Sequence, residues 1–153
     1  MLILSLQEPV KVGVYAPSGE FLHALVSNER TNVALIEIFE NLLEWLKAQD
    51  LAIQVLYYVK GPGSFMAMKL THIFVHAWVL LNPTPLHSAL GFAFNGASPI
   101  KAFGKSFYVF EDDQVVLKTF ESPPKCQEMA LPSVLDPLLF TTDNKPLYFL
   151  PPV

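Results

Sequence analysis

The sequence predicts an α/β fold, with the element order βββαβαβ in its first half and a reduced, β-rich second half. Three short apolar segments with close turns open the chain, and two longer segments with helical periodicity alternate with β-rich runs. All 7 glycines lie at or before Gly104, whereas 7 of the 13 prolines follow Glu121. We therefore expect regular structure punctuated by turns in the first part, and an extended, proline-stiffened tail.

The first half is predicted to open with an antiparallel meander. Its three strands are joined by links too short for a parallel crossover, which needs about a dozen residues. A helix follows with Thr31 or Asn32 as its N-cap, and a second helix stops at Asn82 because Pro83 cannot continue it. The predicted elements are strands 2–6, 10–15 and 20–26, helix 31–49, strand 53–59, a helix between Ser64 and Asn82, and strand 85–94.

The second half has a weaker pattern. Two β-rich runs, 106–110 and 115–120, flank a polar turn at 111–114, which predicts a hairpin. After Ser122 we expect a short helix or coil bounded by prolines, and a last strand at 147–150. The chain is therefore divided into a first domain of residues 1–98 and a reduced second subdomain of residues 99–153.

Composition excludes several classes of protein. A chain that is 52% hydrophobic and 16% charged is not disordered. Its most apolar segment, 65–81, is interrupted by three polar residues and does not predict a membrane span. A net charge of −4, with Arg30 as the only arginine, argues against unaided nucleic-acid binding. The single cysteine and the absence of a basic, cleavable N-terminal region favour a cytoplasmic location.

The two helices carry more apolar surface than one contact can cover. The first has two apolar stripes, Ile36/Phe39/Leu43/Leu46 and Leu35/Ile38/Leu42/Trp45, and we expect the sheet to cover the former and another apolar partner the latter. The second is apolar almost all round, with Lys69, His72 and His76 as its narrow polar stripe. Either these helices are central to their own domain, or part of this surface meets another chain.

Several motifs could carry chemistry, and each has a structural interpretation. Gly61-Pro62-Gly63-Ser64 precedes a helix, where backbone N–H groups can bind an anion. It matches neither the Walker pattern nor G-x-G-x-x-G, so a turn with Ser64 as N-cap is favoured.

The histidines and the cysteine are also interpreted structurally. His72 and His76 have the i, i+4 spacing of metal ligands but no evident third ligand, so no metal site is predicted. His23 and His87 stand alone and Cys126 has no nearby histidine, so we predict no catalytic residue.

Residues 61–71, which read GPGSFMAMKLT, resemble the TsaB (YeaZ) family pattern G-P-G-S-F-T-G-L-R-x-G. Lys69 replaces the family arginine, and Met66, Ala67 and Thr71 depart from it. The opening MLILSL resembles the family's M-x-I-L-x-I-D start, with Gln7 in place of the aspartate. Arg30 stands where the family has histidine, and residues 146–150 resemble its closing P-x-Y-x-R. The likeness is clear over residues 1–100 and weak beyond.

The resemblance implies an actin-like, RNase H-like (ASKHA) ATPase fold with a mixed sheet. It also implies a non-catalytic scaffold, required for threonylcarbamoyladenosine modification of tRNA, that binds and activates the catalytic paralogue TsaD together with TsaE. No cofactor is expected in this chain, because metal and ATP or ADP belong to TsaD and TsaE. Transfer RNA is expected only through the complex, and a homodimer is expected in isolation.

The same resemblance implies an interface on the two helices. Residues 61–64 would shape the start of the second helix. The predicted contacts are Leu35, Ile38, Leu42, Trp45, Phe65, Met66, Lys69, Ile73 and Phe74.

Two other functions stay open. One is a small ATPase or phosphotransferase that uses the Gly61–Ser64 loop as a phosphate cradle; the other is a degraded TsaD-like peptidase. The TsaD pattern His-x-x-x-His is incomplete here, because His87 has no second histidine in the segment 85–91. Gln7 also removes a carboxylate that nucleotide-binding members use. Both residues favour the scaffold.

Overall fold

The computed structural model describes residues 1–148, and it confirms the predicted order βββαβαβ. Two single-turn 3-10 helices, Gly91–Ala93 and Pro137–Leu139, supplement the regular elements. The strand predicted at 147–150 is not formed by Leu147 and Tyr148, and Phe149 and Leu150 lie outside the described residues. The elements are β1 (Leu2–Leu4), β2 (Val10–Tyr15), β3 (Phe21–Ser27), α1 (Thr31–Ala48), β4 (Leu56–Gly61), α2 (Phe65–Leu81), β5 (Leu86–Leu90), β6 (Ile100–Lys101), β7 (Ser106–Glu111) and β8 (Gln114–Thr119).

The main sheet is mixed and has five strands in the order β3-β2-β1-β4-β5. β1, β2 and β3 form the predicted antiparallel meander, and β4 and β5 add in parallel to the other side of β1. Ile3 therefore pairs with Val12 on one side and with Tyr58 on the other. β1 is short but fully buried, as expected for the strand with neighbours on both sides.

Both long helices pack on one face of this sheet. α1 lies over β2 and β3, and α2 lies over β4 beside α1. The Phe39 ring of α1 meets the rings of Phe74 and Trp78 edge-on, at centroid distances of 4.6 and 5.2 Å. These contacts close one hydrophobic core between the sheet and the helix pair.

The second half of the chain covers the opposite face of the sheet. Leu2, Leu4 and Val59 share a core there with Tyr108 of the β6-β7-β8 sheet and with Met129 of the tail. The tail is anchored by polar contacts, such as the Tyr15 hydroxyl, which donates to the carbonyl oxygen of Pro132 at 2.7 Å. The division at residues 98 and 99 stays a prediction, and the core is continuous across it.

The start of α1 differs from the prediction. Its N-cap is Arg30, in extended backbone conformation and without a side-chain capping bond, rather than Thr31 or Asn32. Thr31 is already helical, and its hydroxyl donates to the carbonyl oxygen of Ser5 at 3.0 Å. Prediction of the N-cap was wrong because this tertiary bond uses the hydroxyl that a capping threonine would need.

No helix within residues 1–148 combines the length and hydropathy needed to cross a membrane.

Candidate functional site

The surface of the helix pair that faces away from the sheet carries large exposed apolar side chains. Ile36 on α1 is 58% exposed, and Ile73 and Leu80 on α2 are 55% and 82% exposed. Because α1 and α2 pack side by side, these side chains project from the same layer of the molecule. We call this surface the helix face; its apolar members are Val33, Ile36, Leu43, Met66, Ile73 and Leu80.

The structure corrects the predicted interface on α1. Leu35, Ile38 and Leu42 are at most 2% exposed, because they pack on the sheet of their own chain. They therefore need no partner, and the prediction that another chain covers them was wrong. Ile36 and Leu43, which we had assigned to the sheet, are exposed instead. The stripe expected on the sheet is therefore divided: Phe39 and Leu46 are buried in the core, whereas Ile36 and Leu43 are exposed.

Trp45 and Phe74, also predicted as contacts, are half-buried within the chain. The Trp45 indole stacks on the His23 ring at 4.3 Å with an interplanar angle of 5°. Phe74 packs against Phe39 between the two helices. Both side chains therefore pack mainly within the chain and contribute little to the helix face.

The four contacts predicted in the first half of α2 are accessible. Phe65, Met66, Lys69 and Ile73 are all exposed, although the Phe65 ring also meets Tyr148 at 5.0 Å. Accessibility is what an interface requires, and their engagement by a partner stays a prediction.

The predicted loop Gly61–Ser64 forms the turn that leads into α2. Gly61 has φ of +145°, a conformation that strains any residue with a Cβ, and a Cβ there would lie 2.9 Å from the Met68 sulfur. Ser64 is the N-cap, and its hydroxyl accepts the N–H of Ala67 at 3.4 Å. Pro62 follows Gly61 through a cis peptide bond, and Gly63 packs against Leu6.

A cleft of about 560 Å³ opens where this loop meets two other segments. It lies between the β1–β2 turn, the N-terminus of α1 and the N-terminus of α2. Its polar lining consists of Gln7, Glu8, Arg30, Thr31, Asn32 and Ser64.

Two features of this cleft bear on function. Three of the positions where the sequence departs from the TsaB pattern, Gln7, Arg30 and Met66, line it together although they are far apart in the chain. Residues at the N-termini of both helices, among them Arg30, also line the same space, together with Glu8.

Within residues 1–148, no group of three or more histidine, cysteine, aspartate or glutamate side chains is placed to hold a metal ion. His72 and His76 lie close together, with ring centroids 4.1 Å apart. Burial, and secondarily the charge of His76, lower the pKa of His72. His87 contacts Tyr57 at 5.6 Å, and Cys126 is an exposed free thiol.

A second cavity, of about 360 Å³, lies at the carboxyl ends of β4 and β5. Its polar groups are occupied by the tail: the Lys60 ammonium donates to the carbonyl oxygen of Asp143 at 2.7 Å, and Ser88 donates to the same oxygen at 2.9 Å. Burial raises the pKa of the neighbouring Tyr58 to about 12, and its hydroxyl donates to the carbonyl oxygen of Asn144. These contacts hold the tail on the sheet.

Sequence comparisons identify no relative: no protein-family model matches the chain, and no curated protein matches it. Solved structures do match in three dimensions. YeaZ from Pseudomonas aeruginosa superimposes with a TM-score of 0.56 and 16% identity, over 86% of this chain and 68% of that one. An uncharacterized protein with similarity to peptidase YeaZ from the same organism gives a TM-score of 0.54 and 16% identity, over 78% and 62%. The chain therefore has the mixed-sheet, actin-like (ASKHA) α/β fold of the YeaZ structures.

Proposed function

We propose that this chain is a TsaB-like, non-catalytic scaffold in the synthesis of threonylcarbamoyladenosine on tRNA, and that it binds and activates the catalytic paralogue TsaD, with TsaE as a further component. The YeaZ-like fold and the resemblance at residues 61–71 support the family assignment. The exposed helix face is the observation that carries the proposed binding activity.

The size of the helix face supports a partner. Its six apolar side chains expose roughly 600 Å² in all, which is the upper end of the ~300–600 Å² of the largest apolar patch on a typical monomer, a patch that is often functional. A standard interface buries about 800 Å² on each partner, with an apolar centre and a polar rim. Glu40 and Lys47 on α1 and Lys69 on α2 are exposed beside these apolar side chains and supply polar contacts. In isolation, a second copy of the chain would cover the same face.

Two residues support the non-catalytic part of the proposal. Gln7 lies in the cleft at the position where the resembled family has a carboxylate. His87 on β5 lacks the second histidine of the TsaD metal pattern, since Gly91 occupies that place.

The binding proposal is tested with charged substitutions on the helix face. Ile36→Glu and Ile73→Glu place a carboxylate at the centre of the face and are expected to abolish capture of TsaD, and self-association where it occurs. The matched control is Leu138→Glu, because Leu138 is 92% exposed on a different part of the molecule. Gel filtration with light scattering measures the complex, and circular dichroism verifies the fold. Complexes that survive both helix-face substitutions would show that this surface is not the interface.

The functional part is tested by reconstitution. Purified TsaD, TsaE and this chain are incubated with ATP, threonine, bicarbonate, the enzyme that makes threonylcarbamoyl-adenylate, and unmodified tRNA. Nucleoside analysis then measures threonylcarbamoyladenosine. We expect formation of product to require the chain, and to fail with Ile73→Glu but not with Leu138→Glu. Binding to TsaD without any effect on product would refute the activating role and retain only the docking.

The cleft favours a second candidate, a small ATPase or phosphotransferase, because Arg30 and two helix N-termini line it. Calorimetry of the isolated chain with Mg-ATP distinguishes the two. The scaffold proposal expects no turnover by this chain alone. Turnover that Arg30→Ala abolishes would favour the enzyme.

A further inference from the structure

His72 and His76 lie one helical turn apart on α2 and form a close pair. Their ring centroids are separated by 4.1 Å with an interplanar angle of 53°. His76 is exposed, and His72 is half-buried beside it. Solvent therefore reaches the pair from the side of His76.

The imidazole nitrogens of this pair have no bonding partner in the described part of the chain. Within residues 1–148, neither ring takes part in a hydrogen bond or an ion pair, and Nδ1 of His72 is buried without any partner. Buried polar atoms of native proteins nearly always have a partner, so an unpaired imidazole nitrogen calls for an explanation.

We propose that His72 and His76 together chelate a first-row divalent cation, with water in the remaining coordination positions. Two imidazoles bound to one ion at about 2.1 Å have their ring centres about 5 Å apart, which is close to the separation of 4.1 Å between these two rings. Two nitrogen ligands select Cu²⁺ most strongly in the series of divalent first-row ions, and Zn²⁺ or Ni²⁺ less strongly. This inference is independent of the proposed function.

Among residues 1–148, the other nitrogen and sulfur groups that could bind Cu²⁺ compete poorly with the His72–His76 pair, with one exception. The Met1 amine donates to the carbonyl oxygen of Val55 at 3.0 Å and is buried. His23 stacks on Trp45, and His87 lies alone on β5. The exception is the exposed thiol of Cys126, which binds and is oxidised by Cu²⁺.

The experiment uses the untagged full chain carrying Cys126→Ser. Calorimetry with CuCl₂ at neutral pH measures affinity and stoichiometry, and electron paramagnetic resonance counts the equatorial nitrogens. We expect one ion per chain with two imidazole nitrogens. His76→Gln should weaken binding by roughly tenfold or more, at least as much as loss of an outer-shell group costs at other metal sites. His72→Gln should do the same, and His87→Gln, the control, should leave the affinity unchanged.

Because His76 is exposed, His76→Gln should leave the fold intact, so a loss of affinity for Cu²⁺ can be assigned to the lost imidazole. A spectrum with one nitrogen or none, or an affinity that His76→Gln leaves unchanged, would overturn the proposal. Equal losses with His87→Gln would also overturn it, since they would show that Cu²⁺ binds at single histidines. Lys69 provides a further check: it precedes His72 by three residues on α2, so Lys69→Gln should raise the affinity by removing a nearby positive charge.

Discussion

Leu42 and Leu43 are neighbours in α1 with opposite surroundings, and truncating each to alanine tests the orientation of the helix. Leu42 is fully buried on the sheet, whereas Leu43 is 41% exposed on the helix face. Leu→Ala in a packed core costs about 2–5 kcal/mol, because the lost burial adds to the cavity left behind. Near-surface truncations cost about 1 kcal/mol or less. Helix propensity changes equally in both variants, so the difference between them reports packing alone.

Urea denaturation followed by circular dichroism measures the free energy of unfolding of both variants, and thermal denaturation followed by the same signal measures their melting temperatures. At about 3 kcal/mol, Leu42→Ala should lower the melting temperature by roughly 6–12 °C, given about 2–4 °C per kcal/mol for a chain of this size. Leu43→Ala should lower it by no more than about 4 °C on the same scale. Equal losses in the two variants, or a larger loss for Leu43→Ala, would refute this orientation of α1. Such a result would favour the sequence-based prediction, in which Leu43 and not Leu42 packs on the sheet.

Three further predictions concern caps, glycine and pH. Arg30→Ser supplies the missing N-cap oxygen of α1 and should stabilise the chain by about 0.5–1 kcal/mol in urea denaturation, so a loss of stability would contradict the capping argument. Gly61→Ala should destabilise by about 1–3 kcal/mol through backbone strain and contact with Met68; Gly104→Ala should cost less, because its φ of +52° lies in the left-handed region that other residues can adopt and the space around its Cβ is open. Burial lowers the pKa of the Met1 amine from 8.0 to about 6. The unfolded chain therefore binds more protons between these pH values, and the free energy of unfolding should rise by about 2 kcal/mol from pH 6 to pH 8. Nα-acetylation should remove that rise, and an unchanged pH profile after acetylation would contradict it.

The long helices and the meander were predictable because their signals are local. α1 and α2 repeat apolar residues over four or more turns, and the turns around Pro9 and Gly19 punctuate the strands. The element boundaries were less accurate. β4 begins at Leu56 rather than at residue 53, and the two-residue strand β6 had no pattern to announce it.

The candidate site was also predictable only in part. An apolar excess on both helices was visible in the sequence, and the exposed residues of α2 were among those predicted. Val33, Ile36, Leu43 and Leu80 were missed. On α1 both apolar stripes border the polar side of the helix, so amphipathicity alone could not show that Ile36 and Leu43 stay exposed while Phe39 and Leu46 are buried.

The sequence by itself determined the class of fold, the two apolar helices and the turn that starts α2. These follow from periodicity and from residues with a restricted backbone, which act within a few positions of the chain. Only the tertiary structure decided that the sheet takes Leu35, Ile38 and Leu42, and that Phe39 turns toward α2. It also brought Gln7, Arg30 and Ser64 to one cleft. The rotation of a helix about its axis depends on contacts with segments distant in the chain, and no local pattern specifies them.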